Sequence, residues 1–295
     1  MPGEVTAQAT ANRSDNNGGN GKNGNGDAPT VRTPEAERGL MAWYRRRSVL
    51  VHTVLTVLLG LGIWQIAAAN TSALVMVPLG DIAGALVDTI KSGQLWRDFF
   101  ASFQGFTVGL LIASAAGIVI GVFMATSKIV FDFLDPWISA LYSTPLIALA
   151  PLFIVVFGIG LSAKVAVVIT LAIFPVIINT ASGIRTTDYN LIECAYSFGA
   201  SRRQIFTQVL IPSAVPFIVT GLRLAVGRGL IAVVVAEFFG ARAGLGHMVF
   251  IASQNFSTAE VWLGVFILAL IGMTLIRLMY RLERWLAPWR DFKMP

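Results

Sequence analysis
One cysteine, Cys194, leaves no partner for an internal disulfide, and the only histidines, His52 and His247, stand far apart in the chain. Neither a redox pair nor the short His/Cys spacing of a metal site is present. No Gly-x4-Gly-Lys-Ser/Thr run occurs, so there is no phosphate-cradling loop for ATP. No nucleophile–base pair or carboxylate dyad points to chemistry on a substrate. Charge is scarce as well: 13% of the 295 residues are charged, roughly half the ~25% of a soluble domain. What is plentiful is apolar, with 55% hydrophobic residues and a mean hydropathy of +0.71. Uncharged stretches long enough to cross about 30 Å of hydrocarbon recur along the chain. The sequence is that of a polytopic membrane protein. Its 22 basic against 16 acidic residues, a formal charge of +6, then report topology rather than a polyanionic partner such as nucleic acid.

Residues 1–38 are polar and low in complexity, with the run Asn16 to Asn20 and the alternation Asn23-Gly24-Asn25-Gly26. Such a segment cannot bury enough apolar surface to offset its chain entropy and is expected to be a disordered cytoplasmic tail. It lacks the charged start, apolar centre and cleavage site of a secretory signal. Residues 39–295 read as one membrane domain of six spans: Val49–Ala69, a stretch within Phe99–Ser127, Pro136–Ile159, Val165–Ile184, Pro212–Phe239, and one from Val261 to about Arg281. Trp43, Tyr44 and Arg45–Arg47 precede the first as an interfacial anchor. Arg45–Arg47, Lys128, Arg185, Arg202, Arg203 and the basic residues from Arg277 on fall on one side of the membrane, and only Lys91, Arg97, Lys164 and Arg242 on the other. The excess places both termini and the loop 185–211 in the cytoplasm.

Gly105, Gly109, Ala113, Gly117 and Gly121 recur every four residues in the second span. A stripe of small residues lets another helix approach closely, although a pore-lining role is the alternative. Pro145 and Pro151 interrupt the third span, removing backbone donors at membrane depth. Irregular backbone there survives when it is buried in protein or lines a cavity, so this span is either a kinked packing helix or a wall of a translocation path. In the fifth span, Arg223 reads as an interfacial anchor or a path residue, and Arg228 as a path residue or a member of a structural pair. Glu237 reads as an outer gate or a helix-packing partner.

The loop between the fourth and fifth spans is the most specific part of the chain. Asp188 can cap a short helix, Gly199 suits a left-handed residue that ends it, and Ser201 with Gln204 forms a capping box opening a second. Pro212 is compatible with a third helix entering the membrane. This is a compact cytoplasmic elbow, suited to docking a partner. The spacing Glu193-x-Ala195-x3-Gly199-x9-Val209-x-Ile211-Pro212 resembles the coupling loop of binding-protein-dependent ABC importer permeases, with Cys194, Val209 and Ile211 as conservative departures. Pro145-x2-Ala148-x2-Pro151-Leu152, Phe157-Gly158-Ile159-Gly160, Gly221-Leu222-Arg223 and Ala236-Glu237 before Gly244-Leu245-Gly246 are similar to the nitrate/sulfonate/taurine branch. Val156 departs from it, standing where that branch commonly has Trp.

The resemblance covers roughly residues 75–280 and implies an all-α, type I importer permease fold of six transmembrane helices. It implies ATPase coupling through Glu193, Ala195, Gly199 and Pro212, and Pro145, Pro151, Arg228 and Glu237 become candidate path residues. It further implies a homodimer of permeases, two cytoplasmic subunits that bind the ATP, and an extracytoplasmic substrate-binding protein. The expected cargo is a small anion of the sulfonate, nitrate or taurine kind. A pyrimidine-type vitamin precursor, an aromatic carboxylate or bicarbonate is the alternative. An ion-coupled transporter using Glu237 is the rival from another class.

Overall fold
A computed structural model describes the backbone of residues 35–287, and side chains from His52 onward. The polar tail up to residue 34 and the side chains of the Trp43–Arg47 anchor lie outside the described residues. The chain divides into two compact units, Met1–Leu59 and Gly60–Pro295. The described residues form eleven α-helices, and α1 (Glu35–Asn70) carries the apolar span His52–Asn70. Then follow α2 (Leu79–Lys91), α3 (Gln94–Thr126), α4 (Lys128–Ser143), α5 (Ala150–Phe157) and α6 (Leu161–Arg185). The elbow holds α7 (Tyr189–Ser197) and α8 (Arg202–Ile205), and α9 (Ile211–Gly240), α10 (Leu245–Gln254) and α11 (Thr258–Leu286) complete the fold.

The second unit is built on α3, α6 and α9. On α3 the glycine ladder meets a ladder of the same four-residue step on α6. Gly105 faces Lys164, Gly109 faces Val168, Gly117 faces Val176 and Gly121 faces Thr180. A Cβ at Gly109 would lie 2.6 Å from that of Val168, and one at Gly121 would lie 2.6 Å from that of Thr180. Only glycine permits this approach, so the stripe is a packing surface. Ala113 fills the middle of the ladder in an apolar cluster with Ala172, Val176 and Ala225. On its other side α6 receives the small face of α9, where Val226, Ala232, Val233 and Ala236 cluster with Val167, Val168 and Phe106. Trp64 near the end of α1 meets Trp262 of α11 edge to face at 4.6 Å and donates to the Val77 carbonyl.

Three expectations need correction. The third span is not one interrupted helix: α4 contains Pro136, and the segment Leu146–Phe157 bends away from it by 81°. Thr144, preceding Pro145, is extended at φ −77° and ψ 141°, because the proline ring excludes the helical region for the residue before it. Pro151 causes no break, since it sits in the first turn of α5, where a missing N–H has no intrahelical partner to lose. The apolar spans thus number five, or six if the bent pair is one span. Second, Pro212 sits in the first turn of α9, as expected, but no break separates that helix from α8. From α8 the chain continues through a π-helical turn, Phe206–Leu210, straight into α9. The N–H of Ile211 reaches the Phe206 carbonyl, five residues back, just before a proline that has no N–H to offer. Third, α2 and α10 were not foreseen; at 13 and 10 residues they are too short to span hydrocarbon.

Candidate functional site
The elbow is built from local hydrogen bonds. Asn190 donates its N–H to Asp188 Oδ1 at 2.9 Å, starting α7. At its other end Gly199 has φ 76°. The Gly199 N–H meets the Tyr196 carbonyl at 2.9 Å, and the Ala200 N–H meets the Ala195 carbonyl at 3.0 Å. This pair of bonds is the Schellman motif, which needs the left-handed residue that glycine supplies. Gln204 then closes a reciprocal capping box with Ser201, starting α8. Glu193, Ala195 and Gly199 therefore share one turn-helix unit, with Glu193 exposed, while Pro212 stands beyond the π turn. The sequence reading passed over the aromatic surface beside them. Tyr189, Tyr196 and Phe198 are exposed, Phe198 at 87%.

At the opposite end of α9, Glu237 is fully buried. Its carboxylate accepts from Ser102 of α3 at 2.8 and 2.9 Å, from Lys164 of α6 at 2.8 Å and from the Gly246 N–H at 2.8 Å. Lys164 also donates to the Ala243 carbonyl at 2.8 Å. Leu245 donates its N–H to Ser102 Oγ at 2.8 Å, and Gly244 donates to Asp98 Oδ1 at 3.1 Å. Side chains of α3 and α9 thus satisfy three donors at the start of α10, groups that a buried helix end would otherwise leave orphaned. Gly244 must be glycine: its φ is 144°, and a Cβ would fall inside the Glu237 carboxylate. The surroundings of Glu237 are those of a helix-packing partner. Lys164, Ser102 and Asp98 were missed, although Asp98 and Ser102 lie four apart and head the same face as the glycine stripe.

The two arginines of α9 have different surroundings. Arg223 pairs with the Glu283 carboxylate of α11 and lies 4.0 Å over the Tyr280 ring. Arg228 lies 4.3 Å over the ring of Tyr142, at the end of α4. Pro145 follows Tyr142 by three residues, so Arg228 borders the helix that Pro145 terminates. Pro151 is exposed on α5.

Residues 117–291 match the family described as the inner membrane component of binding-protein-dependent transport systems. The chain belongs to this family. A permease of Bacillus subtilis (strain 168) named for aliphatic sulfonates transport is 34% identical over 78% of this chain and 84% of its own length. One of Halalkalibacterium halodurans named for formylaminopyrimidine transport is 32% identical over 77% and 91%. The taurine transport system permease protein of Escherichia coli (strain K12) is 37% identical over 66% and 71%. The fold is also that of a chain in an inward-facing structure of a methionine ABC transporter, with a TM-score of 0.53 at 18% identity, covering 65% of this chain and 97% of that one. The chain is thus a multi-pass inner-membrane permease subunit of an ABC importer, with the type I importer fold.

Proposed function
We propose that this permease carries a small anion of the sulfonate, nitrate or taurine kind inward. The similarity to permeases named for aliphatic sulfonates and for taurine carries this reading. Two copies form the channel, with both termini and the elbow on the cytoplasmic side, an orientation that the distribution of Lys and Arg supports. A separate ATP-binding subunit docks on each elbow, where Glu193 offers charge, Tyr196 and Phe198 offer apolar contact, and the Ala195–Gly199 turn fixes their geometry. Pro212 leads the elbow into α9. ATP is bound and hydrolysed by those subunits, and an extracytoplasmic protein delivers the cargo. Pro145 and Pro151 shape the wall of the path beside Arg228, while Glu237 holds the outer ends of α3, α6 and α9 to α10.

Reconstitution of the permease with its ATP-binding and substrate-binding subunits tests this. Expected is ATP-dependent uptake of an alkanesulfonate, nitrate or taurine into liposomes. Uptake by the permease alone without ATP would favour the ion-coupled rival. Similarity to a permease named for formylaminopyrimidine transport favours a second reading, and ATP-dependent uptake of that compound but of no anion would establish it.

A further inference from the structure
Helix α9 has two faces. Gly221, Ala225, Gly229, Ala232, Ala236 and Gly240 are buried against its neighbours. The opposite face is not covered by this chain: Leu224 is 48% and Ile231 56% exposed, and a Cβ on Gly227 would meet nothing within 4 Å. Arg228 lies on this open face, four residues after Leu224 and three before Ile231. About 18 Å of helix separates it from Gly240, deep within the span.

A guanidinium at such depth needs an acid, a polar cavity or a ligand. Arg223, five residues earlier, has its acid in Glu283. Among the described residues Arg228 has no carboxylate and donates to no acceptor; its one polar or ring interaction is with the ring of Tyr142. A cation held over an aromatic face keeps its N–H groups in the guanidinium plane, free to point outward. The Tyr142 hydroxyl is likewise without a hydrogen-bond partner among the described residues. The pair therefore offers a forked, planar donor set plus one phenolic donor on an uncovered wall, beside the break at Pro145. Planar or trigonal oxyanions match that fork bidentately.

We propose that Arg228 and Tyr142 form an oxyanion subsite on the translocation path, taking the sulfonate, nitrate or carboxylate group of the cargo. Tyr142 holds the guanidinium over its ring and adds its own hydroxyl. The inference rests on the reading that the cargo is an anion.

The first test needs no knowledge of the cargo. Cys194 is the only cysteine, so a Cys194→Ser background is free of thiols. In the reconstituted complex, Arg228→Cys should react with a membrane-impermeant, anionic methanethiosulfonate reagent at rest or during ATP turnover. Leu270→Cys, at an exposed position on α11, should react far more slowly. Equal, slow reaction at both positions would put residue 228 against lipid or protein and overturn the subsite, leaving the importer reading untouched. The second test is uptake of labelled ethanesulfonate and nitrate. Arg228→Gln should lower uptake about tenfold or more, the factor expected for a lost charge-assisted hydrogen bond. Arg228→Lys should fall between, and Tyr142→Phe should raise the half-saturating concentration while leaving assembly unchanged. Arg228→Gln uptake within about twofold of wild type overturns the subsite. So does failure of that variant to assemble with its partners, which would make Arg228 a structural pair to the second copy. Uptake of formylaminopyrimidine but of neither anion by the wild type overturns the anion reading and the subsite together.

Discussion

The Lys164–Glu237 pair allows a quantitative test of what holds α3, α6 and α9 together where they meet α10. Both side chains are buried, at 6% and 0% exposure, with 2.8 Å between Nζ and Oε1. Removing either charge leaves the other enclosed and uncompensated, which costs about 3–5 kcal/mol. The two single changes should not be equal. Lys164→Met leaves Glu237 its bonds from Ser102 and Gly246 and frees only the Ala243 carbonyl. Glu237→Leu also strands the Ser102 hydroxyl and the Gly246 N–H, each worth about 1–3 kcal/mol when left unmade in a buried site. Glu237→Leu should therefore be the more damaging. The double variant removes both charges, so it should cost less than the sum of the singles and no more than Glu237→Leu alone. The assay is equilibrium unfolding of the purified permease in micelles, followed by tryptophan fluorescence and closed as a double-mutant cycle. Additive costs, agreeing within about 0.5 kcal/mol, would mean that the two charges do not act on each other. Single variants as stable as wild type would mean that water reaches this cluster, and the account of α10 as held by buried side chains would be wrong.

Gly109→Val should prevent stable accumulation of the permease, because its Cβ would overlap Val168 at 2.6 Å and force α3 from α6; normal yield of monodisperse protein would contradict this packing. A Cβ on Gly199 would meet no atom within 4 Å, so the main cost of Gly199→Val is that of the left-handed backbone, about 1–2 kcal/mol. The substitution should weaken pull-down of the ATP-binding subunit without impairing membrane insertion, and Gly199→Asn should be milder; wild-type docking by Gly199→Val would remove the turn from coupling. Ser201→Ala loses the cap of α8, worth about 1 kcal/mol, and should lower substrate-stimulated ATP hydrolysis less than Gly199→Val does. The permease alone should hydrolyse no ATP, which a phosphate-release assay on the purified chain checks.

Much of this architecture is legible in the sequence because it depends on neighbours along the chain. The spans follow from hydropathy, the glycine stripe from its four-residue step, and the elbow from Asp188, Gly199 and the Ser201–Gln204 box. Each is a signal within one or two helical turns. What escaped depends on partners distant in sequence. Lys164 and Glu237 are 73 residues apart, and Ser102 and Glu237 are 135 apart. Counted by hydropathy, Lys164 is only a loop charge at the head of a span. The bend after α4 was half legible, since two prolines marked the region. Only position within the helix separates them: Pro145 stands where the helix would continue, and Pro151 where one begins. The π turn escaped for the opposite reason: Pro212 does stand in the first turn of α9, but nothing in Phe206–Leu210 marked the chain before it as already helical.

That continuity has a mechanical consequence. From Arg202 to Gly240 the chain is one helical stretch of 39 residues, about 58 Å long and well beyond the ~30 Å of hydrocarbon. One end adjoins the Gly199 turn, where α7 has no buried residue and the contacts are local. The other end is fixed by Glu237 to α3, α6 and α10 through buried, charge-assisted bonds. A rod clamped at one end and loosely held at the other transmits displacement wherever it is stiff and bends where its hydrogen-bond ladder is weakest. Here that weakness is confined to the π turn, Pro212 and Pro216, all within the first part of the stretch. Beyond Pro216 the helix has no further proline. The backbone at Arg228, twelve residues past it, is therefore joined to the Glu237 clamp by unbroken helix, so a shift of that backbone against Tyr142 calls for movement of α4.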